Sequence, residues 1–414
     1  MYSLEKGSKI IIFGTDGDAI SAYYRYRRNF NVLGILDPTK KVEICRNGIV
    51  IYPPEILHKL DGAVVIICKK NDLLSAKWFI DNGFKLFESF IPKTLFDYEY
   101  INAYALYSLS STDEIEKNFV RMIGRKKVCM LHGNCQMSVL QKYLVHNEAF
   151  SNDYVIVQFP EFFRMNDDMK KVYECDILFD KISLLISQII SDENKFGKDV
   201  STNFIKQKLG EMCRVVLVTN MYMQAYFPQH KRISDPVYEI WGMKSFAWGD
   251  KYLDDFAQKG SCIENILEEV NKSSFISKEE IRGLFKRDLD EMERRDREVD
   301  VKIVDYLKER AEREILFWSV NHPKNIVFDI LARRLLVFLG YYELVEQVVF
   351  KYEKYLNTEN TLKIACEAVY PSVNEYVYGK RKELEFNLPG EIRFCEYVEF
   401  HEYVENYMNF IWNV

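Results

Sequence analysis

The chain is short of positive charge, of histidine and of long apolar runs. Its 56 lysines and arginines are outnumbered by 62 aspartates and glutamates, for a net charge of -6 over 414 residues. A general nucleic-acid binder carries a basic face, so nucleic acid is excluded as the main partner, although a local basic pocket for a phosphorylated ligand is not. No apolar stretch approaches the ~20 residues needed to cross a bilayer, so no transmembrane segment is expected. The nine cysteines are odd in number and include no C-x-x-C pair. That excludes a disulfide framework and predicts reduced thiols in a cytoplasmic protein. The first seven residues lack the layout of a secretory signal, and no metal site is expected. What the chain does have is core: 48 % hydrophobic and 14 % aromatic residues, enough for two or three folded domains.

The most informative stretch runs from Lys127 to Leu140. An apolar segment short enough to be a buried strand stops at Gly133. A polar turn follows, and then a helical pattern through Val139, Leu140, Tyr143 and Leu144. This strand–turn–helix reading places Cys135 in the first turn of a helix, where free N–H groups and the positive end of the dipole favour a thiolate.

The N-terminal part reads as a parallel, doubly wound sheet. Lys9–Phe13 is its first strand, Ile20 to about Arg28 a helix, Val32–Leu36 a second strand, and Ala63–Cys68 a third. Gly14 and Gly17 frame a turn able to approach a phosphate, and Asp37 stands about 20 residues on, where a dinucleotide site keeps its ribose-binding acid. The G-x-G-x-x-G fingerprint is incomplete, and Asp16 and Asp18 add negative charge to the turn. NAD or a nucleotide sugar is therefore left open as a ligand here, beside a domain with no nucleotide at all. This Rossmann-like unit is expected over residues 1–112. Its Gly34-Ile35-Leu36-Asp37-Pro38 strand end and the loop with Pro53 and Pro54 resemble the small domains at the front of sugar-modifying enzymes of surface-glycan pathways.

The remainder, residues 126–414, reads as a larger α/β domain with a helical C-terminal part. Val155–Val157, Ile177–Phe179 and Val215–Val218 are its further expected strands. Asn220 follows the last of them, at the strand-end position where open parallel sheets place ligand-binding side chains. His322, one of six histidines, precedes a proline and is pushed off the following helix into extended backbone. A cysteine at a helix start and a histidine on a loop are the ingredients of a thiolate–imidazole pair. Lys278–Glu314 reads as an amphipathic helical arm with a solvated face, with a lid or a homo-oligomer contact as its alternative roles.

His132-Gly133-Asn134-Cys135-Gln136 resembles the signature of WcbI-type capsular polysaccharide biosynthesis proteins. The likeness continues through Ser201-Thr202, Asn220-Met221-Tyr222, Tyr226–Gln229, Asn321-His322-Pro323 and Tyr370-Pro371-Ser372. It implies coenzyme A or acetyl-CoA as a substrate and acyl transfer to a glycan or nucleotide-sugar acceptor. The layout is also similar to SGNH hydrolases, with Cys135 in the nucleophile position, His322 in the base position and Ser319 where the orienting acid is expected. On this reading Cys135, His322 and Gln136 are the catalytic candidates. Gly133, Asn134, Ser138 and Asn220 line the substrate site, and His230-Lys231-Arg232 are a clamp for the nucleotide end of CoA. Either Cys135 takes the acyl group covalently or His322 activates the sugar hydroxyl for direct attack. An esterase with the same constellation and a non-catalytic nucleotide-sugar module are the rival readings.

Overall fold

Isoleucine and valine runs set the first sheet of this computed structural model, which describes residues 4–14, 17–59, 62–69, 72–96, 100–231, 249–341, 368–379, 386–387, 397–398 and 400–412. The chain divides into two units, Met1–Asn134 with Glu148–Val215, and Cys135–Asn147 with Val216–Val414.

In the first unit, β1 (Lys9–Phe13) lies parallel to both β2 (Asn31–Leu36) and β5 (Val64–Ile67). Ile10, Ile11 and Ile12 are wholly buried, as a central strand covered on both faces requires. With β3 (Ile44–Arg46), β4 (Ile49–Tyr52) and β6 (Phe90–Pro92), the order is β3-β4-β2-β1-β5-β6. Only the β3–β4 pair runs antiparallel among the recorded pairings. Its turn is Asn47-Gly48, both at positive φ, the conformation that two-residue hairpins prefer. Helix Gly17–Tyr26 follows the glycine turn. Gly14 is needed there, since a Cβ would meet the Cys68 carbonyl oxygen at 2.7 Å and the Ala19 Cβ at 2.9 Å.

A second sheet has the order β11-β10-β8-β9-β7, with β7 at Ile101–Asn102, β8 at Lys127–His132, β9 at Tyr154–Gln158, β10 at Ile182–Ser187 and β11 at Arg214–Leu217. Its strand β7 precedes residue 112, so the chain enters this sheet earlier than the expected boundary. Ile177–Phe179, expected as a strand, instead lies in the short helix Asp176–Phe179, which buries Leu178 and Phe179. A three-residue apolar run suits one turn of helix as well as a strand; the strand is the longer run that begins at Ile182.

The second unit is mainly helical. Its longest described helix, Lys278–Asp296, starts at Ser277, whose side chain accepts the Glu280 N–H at 3.1 Å, an N-cap bond. Ile281, Phe285, Leu289 and Met292 form its buried stripe. Helix Asn325–Leu339 ends at Gly340 in the left-handed region, as its sequence pattern predicts.

Candidate functional site

Strand β8 ends at His132, the chain bends at Gly133 and Asn134, and a twelve-residue helix begins at Cys135. The helix holds because Val139, Leu140, Tyr143 and Leu144 form its buried face. Cys135 is half-buried in the first turn, among N–H groups with no intrahelical acceptor, and Ser138 is half-buried one turn further on. In the first unit, the Asn134 N–H donates to Gln188 Oε1 at 2.9 Å, and the Gln188 N–H donates to the His132 carbonyl at 3.0 Å. Gly133 is buried. His132 itself is a structural residue. Its Nε2 donates to the Val200 carbonyl at 2.9 Å, and burial pushes its pKa down to about 4, so the ring is neutral.

Gln136 is the hinge-pin of the candidate site. It is 1 % exposed, and its Nε2 donates to the carbonyls of Met221 and Asn321, both at 2.8 Å. Its Oε1 accepts the Met221 N–H at 3.1 Å. Both amide protons are thus committed to backbone, so Gln136, a catalytic candidate on the sequence, has none left to donate to an oxyanion. What the side chain does is join three segments: the helix of Cys135, the loop after β11, and the hairpin of His322.

That hairpin pairs two short strands, Phe317–Ser319 and His322–Pro323, Ser319 standing opposite His322. Its turn is tied to the post-β11 loop by the Met223 N–H on the Val320 carbonyl, at 2.8 Å. A second tie runs from the Tyr143 hydroxyl to the Asn325 carbonyl at 3.1 Å, so the helix of Cys135 is fixed to the chain on both sides of the half-buried His322. Ser319 is fully buried, and its Oγ has no hydrogen-bond partner among the described residues. It therefore does not hold the imidazole in the way a carboxylate at that position would.

The post-β11 loop is itself built by the charged helix Lys278–Asp296. Asp288 accepts the Ala225 N–H at 2.7 Å, with Arg287 on its other oxygen. Asp296 accepts from the Thr219 hydroxyl and from the N–H groups of Ile303 and Val304, at 2.8 and 2.7 Å. Arg295 donates to the carbonyl of the half-buried Asn220 at 3.2 Å. Tyr226, wholly buried, donates to the carbonyls of Ala311 and Glu314. The segment expected as a solvated arm thus carries buried acids that hold the 219–225 loop in place. Two carboxylates hidden among exposed ones leave no trace in a helical pattern of charge.

The expected cationic clamp fares differently. His230 and Lys231 form a short strand paired with Gly249–Asp250, and the Lys231 ammonium is bonded to the Asp254 carboxylate at 2.5 Å. Its charge is offset there. Arg232 lies outside the described residues. A basic side chain the sequence reading passed over is Lys324, directly after the Asn321-His322-Pro323 element, whose Nζ lies 4.5 Å from the centroid of the Trp318 ring. In the first unit, Gly14 and Asp37 line one cavity of about 400 Å³; Gly17 is not among its lining residues and has open space about it.

Fold and site together define an α/β protein with a cysteine at a helix start and a histidine hairpin held to it through Gln136. A family model described as polysaccharide biosynthesis enzyme WcbI matches residues 128–344. The chain belongs to this family of polysaccharide biosynthesis enzymes. Among solved structures, it is similar to WcbI, described as a novel polysaccharide biosynthesis enzyme and as the native protein without a disulfide bond between coenzyme A and a cysteine. That likeness has a TM-score of 0.56 at 17 % identity, and covers 70 % of this chain and 91 % of the other. No curated protein matches the chain significantly.

Proposed function

We propose that the protein binds coenzyme A and transfers an acyl group, acetyl in the simplest case, from the CoA thioester to a hydroxyl of a surface-glycan precursor. The observation that carries this reading is the Gln136 junction, which holds the helix of Cys135 and the hairpin of His322 in one framework inside the second unit. A cysteine that can form a disulfide with CoA, as the description of the structural neighbour implies for that protein, lies where the thiol end of CoA arrives. In this chain the role is assigned to Cys135, which stands at a helix start inside the matched family segment.

In the reaction, the Cys135 thiolate attacks the thioester carbonyl, forming a new carbon–sulfur bond as the CoA thiolate leaves and takes a proton from the imidazolium of His322. The neutral imidazole then accepts the proton of a sugar hydroxyl, whose oxygen displaces the Cys135 sulfur. The starting state is regenerated and one ester is formed. N–H groups in the first turn stabilise the oxyanion in both steps. His322 works without a serine-held ring, because Ser319 makes no hydrogen bond to it. Lys324, over the Trp318 ring and two residues after His322, adds a positive charge for the phosphates of CoA.

Calorimetric titration with CoA and acetyl-CoA tests the binding half. The reading expects saturable binding that survives Cys135→Ala; absence of binding by either ligand overturns it. Turnover of a p-nitrophenyl ester without CoA would favour an esterase instead.

A further inference from the structure

We propose that the first unit carries a second, separate ligand site that takes a nucleoside phosphate, in the cavity beside the C-terminal end of β1. The strand order puts β2 and β5 on opposite sides of β1: the chain winds outward from β1 through β2, β3 and β4, then crosses back to β5 on the other side. The crevice created there, at the carboxyl ends of the strands, is where open α/β sheets take ligands. The cavity has a volume of about 400 Å³, within the range of small-molecule sites.

Its lining has three kinds of group in the combination such a ligand needs. Asp37 is 8 % exposed, and its Oδ1 accepts both the N–H and the hydroxyl of Thr39, at 2.8 and 2.7 Å. The carboxylate is thereby fixed, and the second oxygen is left to accept a sugar hydroxyl. Lys40 and Arg46 supply two positive charges from the loop after β2 and from the β3–β4 hairpin. No ion pair engages either among the described residues. Ile20, Tyr24 and Ile44 are exposed by 48, 49 and 36 %, and all three line the cavity, forming an apolar wall for a flat ring. Gly14 lines the cavity with backbone alone.

A ring-binding wall, a fixed hydroxyl acceptor and two cations match base, ribose and phosphate in turn. The size suits one nucleotide, and Asp18 in the first turn of the helix opposes a pyrophosphate lying along it, as a dinucleotide would place it. A nucleoside diphosphate, free or as the carrier of an activated sugar, has the required chemistry. This proposal does not rest on the acyl-transfer reading, because every residue in it belongs to the first unit.

The test is equilibrium binding of ADP, GDP, CDP and UDP, and then UDP-glucose, to the full chain. At least one diphosphate should saturate a site that excess CoA does not empty. Arg46→Met, on an exposed strand, should weaken that diphosphate at least fivefold while leaving the unphosphorylated nucleoside unchanged. Asp37→Asn should weaken the ribonucleotide about tenfold and the 2′-deoxy and 3′-deoxy forms less. Tighter binding of UDP-glucose than of UDP identifies the activated sugar as the ligand; equal affinity identifies the nucleotide alone. No saturation by any probe, binding untouched by Arg46→Met, or full displacement by CoA overturns the site.

Discussion

Replacing Gln136 by leucine tests whether that side chain holds the candidate site together. Leucine keeps the volume but deletes three hydrogen bonds, of 2.8, 2.8 and 3.1 Å. The Met221 N–H and the carbonyls of Met221 and Asn321 then face an apolar side chain in a place that is 1 % exposed. Each lost bond is worth about 1 kcal/mol, and a buried group left unsatisfied about 1–3. Set against roughly 1 kcal/mol from the added apolar contact, the loss is about 3–5 kcal/mol, a large share of the 5–15 kcal/mol typical of a domain. Urea unfolding followed by tryptophan fluorescence should show a lower midpoint. Gln136→Glu sharpens the result, because an ionised carboxylate would face two carbonyls. Its folded pKa would rise above the unfolded value, so stability present below about pH 4.3 should fall as pH rises through the folded pKa. If Gln136→Leu unfolds within about 0.5 kcal/mol of wild type, the junction is not what holds Cys135 and His322 in one framework.

Three further outcomes are expected. His132 is held neutral with a pKa of about 4 against 6.5 unfolded; stability is therefore full above pH 6.5 and declines towards pH 4, by about 3 kcal/mol at most. His132→Gln should flatten that part of the curve in pH-dependent melts, and an unchanged slope would contradict the assignment. Ser319→Ala should leave stability and turnover within about twofold, since Oγ has no hydrogen-bond partner among the described residues; a large loss of rate would mean that the hydroxyl orients His322 after all. Asp296→Ala strands the donors of Thr219, Ile303 and Val304 and should cost about 3–5 kcal/mol in urea unfolding. Lys286→Ala, which breaks only an exposed pair with Asp290, should leave the urea midpoint close to wild type. Similar costs for the two would mean that the charged helix does not hold the loop.

Local signals were legible where one segment decides its own structure. The run Ile10–Ile12, the strand–turn–helix at Cys135 and the Gly340 cap all follow from composition over a few residues. The β3–β4 hairpin carries an Asn47-Gly48 signal, but its strands are only three and four residues long, too short for alternation to be read. Missing it also hid Arg46 from the cavity around Asp37. Long-range pairings left no such trace. A glutamine beside a reactive cysteine suggests an oxyanion donor, and only the approach of Met221 and Asn321, 85 and 185 residues away, shows both its protons spent. Likewise, Lys231 reads as a free cation until Asp254 is placed beside it. Pairing of charges distant in sequence is decided by packing, which a single sequence does not display.

The most direct test of the proposed chemistry is the mass of the Cys135 peptide after incubation with acetyl-CoA in the absence of acceptor. An acetyl thioester on Cys135 is expected, formed more slowly in His322→Ala, absent in Cys135→Ala, and lost when a glycan acceptor is added. Acetyl transfer to the acceptor by Cys135→Ala at the wild-type rate, with no adduct on the wild-type peptide, would contradict it.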